Sequence, residues 1–266
     1  MEDFMKKLCF TLLLSFSLLI VLSACAAKDV PSQKQEESEI TISAAASLND
    51  ALKEIKTTFE KKHKNIHLSI NLGGTGALQQ QIIQGAPVDV FISAAKDKFD
   101  DLIQKGLIKK EDSKDLLGNK LVLITPKRHS AIQSFSDLSD NRVSRVAIGT
   151  PATVPAGMYA KQALQKYQVW DKLTPKLIQA KDVRQVLTYV ETGSVDAGIV
   201  YLTDAKVSNK VKIVETASED MHDPIIYPAG IIKETKHHKE AAIFLKYLKS
   251  TSAKKTFEKY GFIVLD

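Results

Sequence analysis

The stretch ITISAAASLNDALKEIKTTFE, residues 40–60, decides the fold class. Ile40, Thr41 and Ile42 open a β-strand that leads into Ala44, Ala45 and Ala46. Leu48, Ala51, Leu52, Ile55 and Phe59 then recur at helical spacing, which predicts a helix from about Ser47. The Ser47 hydroxyl stands at the strand-to-helix junction, where it is expected to cap first-turn N–H groups. A strand that turns directly into an amphipathic helix is the building unit of α/β sheet proteins.

The alternation continues outward from there. Residues 67–72 read as a strand broken by Gly73-Gly74-Thr75-Gly76, and residues 77–84 as a short helix closed by Gly85. Further strands are predicted at 88–92, 120–125, 143–148, 197–201 and 225–232. Helices are predicted from about Pro155, over 182–191 and over most of 239–259. Segments 120–126 and 225–232 are expected to cross between two lobes. Residues 40–122 with 228–266 then form lobe 1, and the inserted residues 123–227 form lobe 2. Two connections between lobes make a hinge for closure around a ligand.

The N-terminal segment has a different character. Lys6 and Lys7 precede an almost wholly apolar run over 8–22, too short for a comfortable membrane span. The run ends in Leu22-Ser23-Ala24-Cys25, which resembles a lipobox, so residues 1–24 are expected to be a lipoprotein signal peptide. Cys25 is then the lipidated first residue, and residues 25–39 are a polar tether that leaves the domain anchored on the extracytoplasmic face of the cell membrane. The other cysteine, Cys9, lies in the removed leader. The mature chain is therefore expected to lack disulfides, cysteine-ligated zinc and a cysteine nucleophile.

The formal charge of +6 is spread over lysine-rich helix faces, with no aromatic-interleaved basic block, which argues against nucleic acid as a partner. There is no GxxxxGK[ST] phosphate loop and no HExxH motif. His63 and His67 flank a turn, and His222, His237 and His238 fall in loop or solvent-facing sequence, so no bare metal ion is expected. Chemistry concentrates instead where helices begin. Ser47, Thr75, the Val154-Pro155-Ala156-Gly157 turn and Asp182-Val183 all follow strands. Helix starts carry free N–H groups and the positive end of the peptide dipoles, and four of them facing one cleft make an anion site. Taken singly, each is what any helix start needs.

Seven strings resemble the periplasmic molybdate-binding proteins of ABC importers: AAASL at 44–48, GAPVDVFISA at 85–94, LGN at 117–119, VPAGMYAK at 154–161, DVR at 182–184, GIVY at 198–201 and KYGF at 259–262. They run in order from about Ile40 to Phe262. The resemblance implies a two-lobed type-2 periplasmic-binding fold with a hinge of two crossing strands. It also implies a buried tetrahedral oxyanion, molybdate or tungstate, held by Ser47, Thr75, Ala156, Val183 and Tyr201. A monomeric receptor would deliver it to a permease and its ATPase, with no cofactor and no catalysis. Thr75 stands where the family often has serine; its hydroxyl still donates, and its methyl narrows the pocket.

Molybdate and tungstate are fully deprotonated at neutral pH, so every group of the site must donate, and a carboxylate would repel them. Arg184 is expected in an ion pair or at the lobe surface. Asp50, Glu54, Asp97 and Asp182 are candidates to face the permease. The alternatives are a receptor for another tetrahedral oxyanion, such as sulfate, and an exported phosphate-handling enzyme on the same fold.

Overall fold

The computed structural model describes residues 1–3, 5, 37–127 and 131–265. The apolar leader, Cys25 and the tether up to Glu36 lie outside the described residues, and the expectations for them with it. Residues from Glu37 onward form one compact unit. Among the described residues, no helix is long and apolar enough to cross a membrane.

In chain order the elements are β1 (Ser38–Ala45), α1 (Asn49–Lys62), β2 (Ile66–Gly73), α2 (Thr75–Ile83), β3 (Val90–Ile92), α3 (Lys96–Gln104), β4 (Ile108–Gly118) and β5 (Leu121–Pro126). Then follow β6 (Val146–Gly149), α4 (Pro155–Lys166), α5 (Trp170–Leu173), β7 (Leu177–Ala180), α6 (Val183–Glu191), β8 (Ala197–Tyr201), α7 (Leu202–Lys206) and β9 (Val211–Thr216). The chain closes with β10 (Ile226–Ile232), α8 (His238–Leu248), α9 (Thr251–Lys259) and β11 (Ile263–Val264).

The strands form two sheets. The first has the order β11-β4-β10-β3-β1-β2 and the second β7-β6-β8-β5-β9. In the first, β1 runs parallel to β2 and β3, while β10 is antiparallel to β3 and β4. In the second, β6 is parallel to β7 and β8, and β5 is antiparallel to β8 and β9. Covering helices explain the continuous burial of the inner strands. On α1, Ala51, Leu52, Ile55 and Phe59 are buried, and the Phe59 ring meets Phe244 and Tyr247 of α8 edge-on at 5.2 Å. Burying a side chain such as Leu52, Ile55 or Phe59 contributes roughly 1.5–3 kcal/mol each.

Three features differ from the sequence reading. First, the strands expected to cross do not cross: β5 lies wholly in the second sheet and β10 wholly in the first. The chain passes between sheets at Asn119-Lys120 and again between β9 and β10. Second, Ser47 is not a helix cap. Residues Ala46–Leu48 form a 3-10 turn, α1 starts at Asn49, and the Ser47 hydroxyl makes no capping bond. Third, β4, β7, β9, β11 and α3 were not expected. The β4 sequence, IKKEDSKDLLG, is mostly charged and exposed over its first half, so no apolar alternation marks it. Neighbouring strands, which supply the hydrogen-bond partners, define it instead.

Packing of the VPAG turn is strict. A Cβ on Gly157 would sit 1.9 Å from the Gly149 carbonyl oxygen, and one on Gly149 would sit 2.4 Å from Val154 Cγ1. At Gly157 the obstacle is backbone, which cannot yield as a flexible side chain does, and at Gly149 it is the branched Val154 side chain, so α4 seats closely on β6 with glycine at both positions. Gly157→Ala is expected to destabilise the folded chain by about 2 kcal/mol or more in urea denaturation; unchanged stability would show that α4 is not held this closely.

Candidate functional site

The five residues singled out in the sequence line one cavity. Ser47 and Thr75 reach it from the first sheet, and Ala156, Val183 and Tyr201 from the second. Ser47 sits in the 3-10 turn after β1, Thr75 is the first residue of α2, Ala156 the second of α4 and Val183 the first of α6. Tyr201 ends β8. The space open to the centre of a water molecule is ≈ 10 Å³, the scale of one compact group and far below that of a sugar or peptide. All the lining residues are uncharged, the remainder being alanines, glycines, Val154 and Pro155.

The hydrogen-bond inventory gives this cavity its polarity. The N–H groups of Ser47, Thr75, Ala156 and Val183 have no protein acceptor among the described residues. The α6 cap, Asp182, accepts from Gln185 N at 2.9 Å and so leaves the Val183 N–H free. Thr75 Oγ1 accepts from Ala94 N at 3.1 Å, which leaves its own proton uncommitted. Tyr201 Oη is buried without a hydrogen-bond partner. Burial, chiefly, raises the Tyr201 pKa well above that of an ordinary tyrosine, so the hydroxyl keeps its proton and can only gain by donating it. An orphan buried hydroxyl costs about 1–3 kcal/mol, which a negatively charged acceptor would more than recover.

The two sheets meet tightly around this point. Gly76 N donates to Thr153 O at 2.9 Å across the cleft. A Cβ on Gly74 would lie 2.7 Å from Lys181 O and one on Gly76 2.8 Å from Thr153 Cα, so the GGTG turn carries glycine where backbone meets backbone. Arg184 Nη1 reaches Asp50 Oδ2 at 3.0 Å and lies 3.5 Å from Asp204 Oδ1. Arg184 thus spans the cleft in an ion pair and is not among the residues that line the cavity.

Three groups beside the cavity escaped the sequence reading. Tyr227 Oη lies 3.0 Å from Ser47 Oγ and accepts from Asn119 Nδ2 at 3.1 Å. Asp204, one residue after Thr203 on α7, is fully buried, and neither carboxyl oxygen has a partner in hydrogen-bond geometry. No local pattern marks a tyrosine in a strand or an aspartate in a short helix as part of a site. Three of the acidic residues that could face a permease also have partners within the chain. Asp50 is engaged by Arg184, Asp182 caps α6, and Glu54 pairs with Lys259 at 2.6 Å and with the Tyr260 hydroxyl.

Burial pushes the Asp204 pKa up to about 7, against the opposing pull of Arg184. The folded chain therefore holds a proton on Asp204 between about pH 4 and 7 that the unfolded chain has released. This contribution to stability is full below about pH 4 and is lost as pH rises to about 7. The unfolding free energy of the wild type, measured against Asp204→Asn across that window, is expected to decline with rising pH; a flat difference would show Asp204 ionised throughout.

Comparison with known proteins agrees with this architecture. Residues 40–263 match the family described as bacterial extracellular solute-binding protein. The chain is 51% identical over 244 residues to a Bacillus subtilis protein named putative ABC transporter substrate-binding lipoprotein YvgL, covering 91% of this chain and 93% of the relative. It is 40% identical to the molybdate-binding protein ModA of Haemophilus influenzae, covering 84% of this chain and 89% of the relative. Among solved structures, a substrate-binding domain of a putative molybdenum ABC transporter from Clostridium difficile is 40% identical, covers 86% of this chain and all of its own, and superposes with a TM-score of 0.67. The Azotobacter vinelandii periplasmic molybdate-binding protein shares the fold at a TM-score of 0.78 and 24% identity, covering 85% of this chain and all of its own. The two-sheet architecture is that of the periplasmic binding proteins, and the chain belongs to the bacterial extracellular solute-binding protein family.

Proposed function

We propose that the protein captures molybdate, and tungstate with it, outside the cytoplasm and delivers it to an ABC permease driven by its ATPase. The observation that carries this reading is an uncharged buried cavity whose uncommitted N–H and hydroxyl groups are free to donate. The hydroxyls of Ser47, Thr75 and Tyr201 and the N–H groups of Ser47, Thr75, Ala156 and Val183 converge there. A fully deprotonated tetrahedral dianion offers acceptors only and matches such a set, with the four helix starts supplying positive potential without a formal countercharge. Hydrogen phosphate carries a proton that needs an acceptor.

Capture then works as closure. The lobe built on the first sheet brings Ser47 and Thr75; the lobe built on the second brings the other three. Neither half holds enough donors alone, so the ion favours the closed state by binding it more tightly, and the closed state is what a permease can recognise. Lipid on Cys25 and the polar tether before β1 keep the receptor at the membrane surface, where it acts as a monomer. Names of relatives such as the substrate-binding lipoprotein YvgL and the molybdate-binding ModA support the same reading. A receptor needs no base or nucleophile beside the ion, and the residues that line the cavity are uncharged.

Titration calorimetry on residues 26–266 tests the assignment. Molybdate and tungstate are expected to bind one to one and tightly, with sulfate and phosphate weak or undetected. Sulfate binding as tight as molybdate binding would sink it. Tyr201→Phe and Ser47→Ala should each weaken molybdate binding by about 1–3 kcal/mol, the value of a donor to a charged group.

A further inference from the structure

We propose that Tyr227 is a positioning residue that turns the Ser47 hydroxyl proton toward the anion cavity. The inference rests on the reading of that cavity given above and extends it to a residue that does not line it.

Asn119 Oδ1 accepts from the Lys120 N–H at 2.8 Å, and since that N–H can only donate, the orientation of the amide is set. Asn119 Nδ2 therefore faces the other way, with two protons and two partners: Thr203 Oγ1 at 3.0 Å and Tyr227 Oη at 3.1 Å. The Tyr227 oxygen is thus an acceptor from Asn119. Its remaining partner is Ser47 Oγ at 3.0 Å, a contact in which either oxygen could hold the proton.

Only one assignment leaves no proton stranded. If Ser47 donated to Tyr227, the phenolic proton of Tyr227 would have no acceptor, because Asn119 Nδ2 cannot accept. Tyr201 faces the Tyr227 ring edge-on with centroids 5.9 Å apart, and its hydroxyl makes no hydrogen bond of normal length and angle with any described residue. Tyr227 is fully buried, so water is not an alternative. Tyr227 therefore donates to Ser47 Oγ, and the Ser47 proton is left for the cavity that Ser47 lines. Burial also keeps the phenol protonated, as the relay requires.

The chain Lys120 N–H, Asn119, Tyr227, Ser47 begins where the backbone first passes between the sheets and ends at the cavity. It does for Ser47 what the Ala94 N–H does for Thr75. In both cases an internal donor occupies the hydroxyl oxygen and leaves its hydrogen to the ligand. Such preorganisation removes the cost of reorienting the hydroxyl when the ion arrives.

A double-mutant cycle read by calorimetry with molybdate separates positioning from packing. Tyr227→Phe should weaken binding about three- to tenfold in the wild-type background and less than about twofold in the Ser47→Ala background, since the relay then has no terminus. Equal losses in the two backgrounds, or no loss in either, would overturn the proposal. Asn119→Ala keeps the Tyr227 ring and serves as the second arm should Tyr227→Phe fold poorly; its loss should likewise vanish when Ser47 is alanine, and a loss that persists counts against the relay. Wild-type protein that binds no molybdate would instead defeat the functional reading, so the two failures are distinguishable.

Discussion

Unsatisfied N–H groups are expensive inside a protein, and this fold holds four of them at one buried point. Ser47, Thr75, Ala156 and Val183 each lie in the first turn of a helix or 3-10 segment, and none of their N–H groups finds an acceptor among the described residues. Helix geometry guarantees free donors at every start; bringing four starts together concentrates the cost. The surrounding structure can be understood as the scaffold that tolerates this. Strands buried on both faces fix where each helix begins, and glycines at 74, 76, 149 and 157 let backbones approach to distances at which any Cβ would collide. The stability comes from the cores beneath both sheets, while the cavity stays under-bonded.

The same economy governs the charged groups nearby. A lysine or arginine in the cavity would hold an anion strongly but would also attract every anion of any shape. Here the charges stand one layer back. Arg184 binds Asp50 across the cleft and lies near Asp204, so its charge is largely spent within the protein. Asp204, buried and short of partners, is a costly group whose ionisation is opposed by burial and favoured by Arg184. The electrostatics presented to a ligand are consequently those of oriented dipoles, which demand correct placement of each acceptor and so select for shape.

Hydroxyl groups add a second kind of order. A serine hydroxyl can donate or accept, and an undirected one would serve either purpose. The contacts of Thr75 with Ala94 and of Ser47 with Tyr227 occupy the oxygens from behind. Tyr227 comes from β10 and Asn119 from the β4–β5 connection, both far from Ser47 in the chain. The polarity of the site therefore depends on residues at or beside the two places where the chain passes between its sheets.

Much of this was legible in the sequence. The alternation of short apolar runs with helical periodicity announced an α/β sheet protein because local burial patterns are local properties. The positions of Ser47, Thr75, Ala156 and Val183 could be picked out because a helix start after a strand is also local, and the family strings joined them with Tyr201 as one set. Charged β4 was not legible, since its strand character comes from β10 and β11 and not from its own residues. Nor was the true role of Ser47, whose hydroxyl turns away from capping to meet a tyrosine 180 residues later. Sequence by itself determined which segments are strands or helices wherever one face is apolar, and where free N–H groups must occur. Only the tertiary structure decided that those groups share a cavity, that Arg184 faces Asp50, and that Asn119 and Tyr227 stand behind Ser47, because hydrogen bonds and ion pairs depend on distances between residues that no short-range pattern encodes.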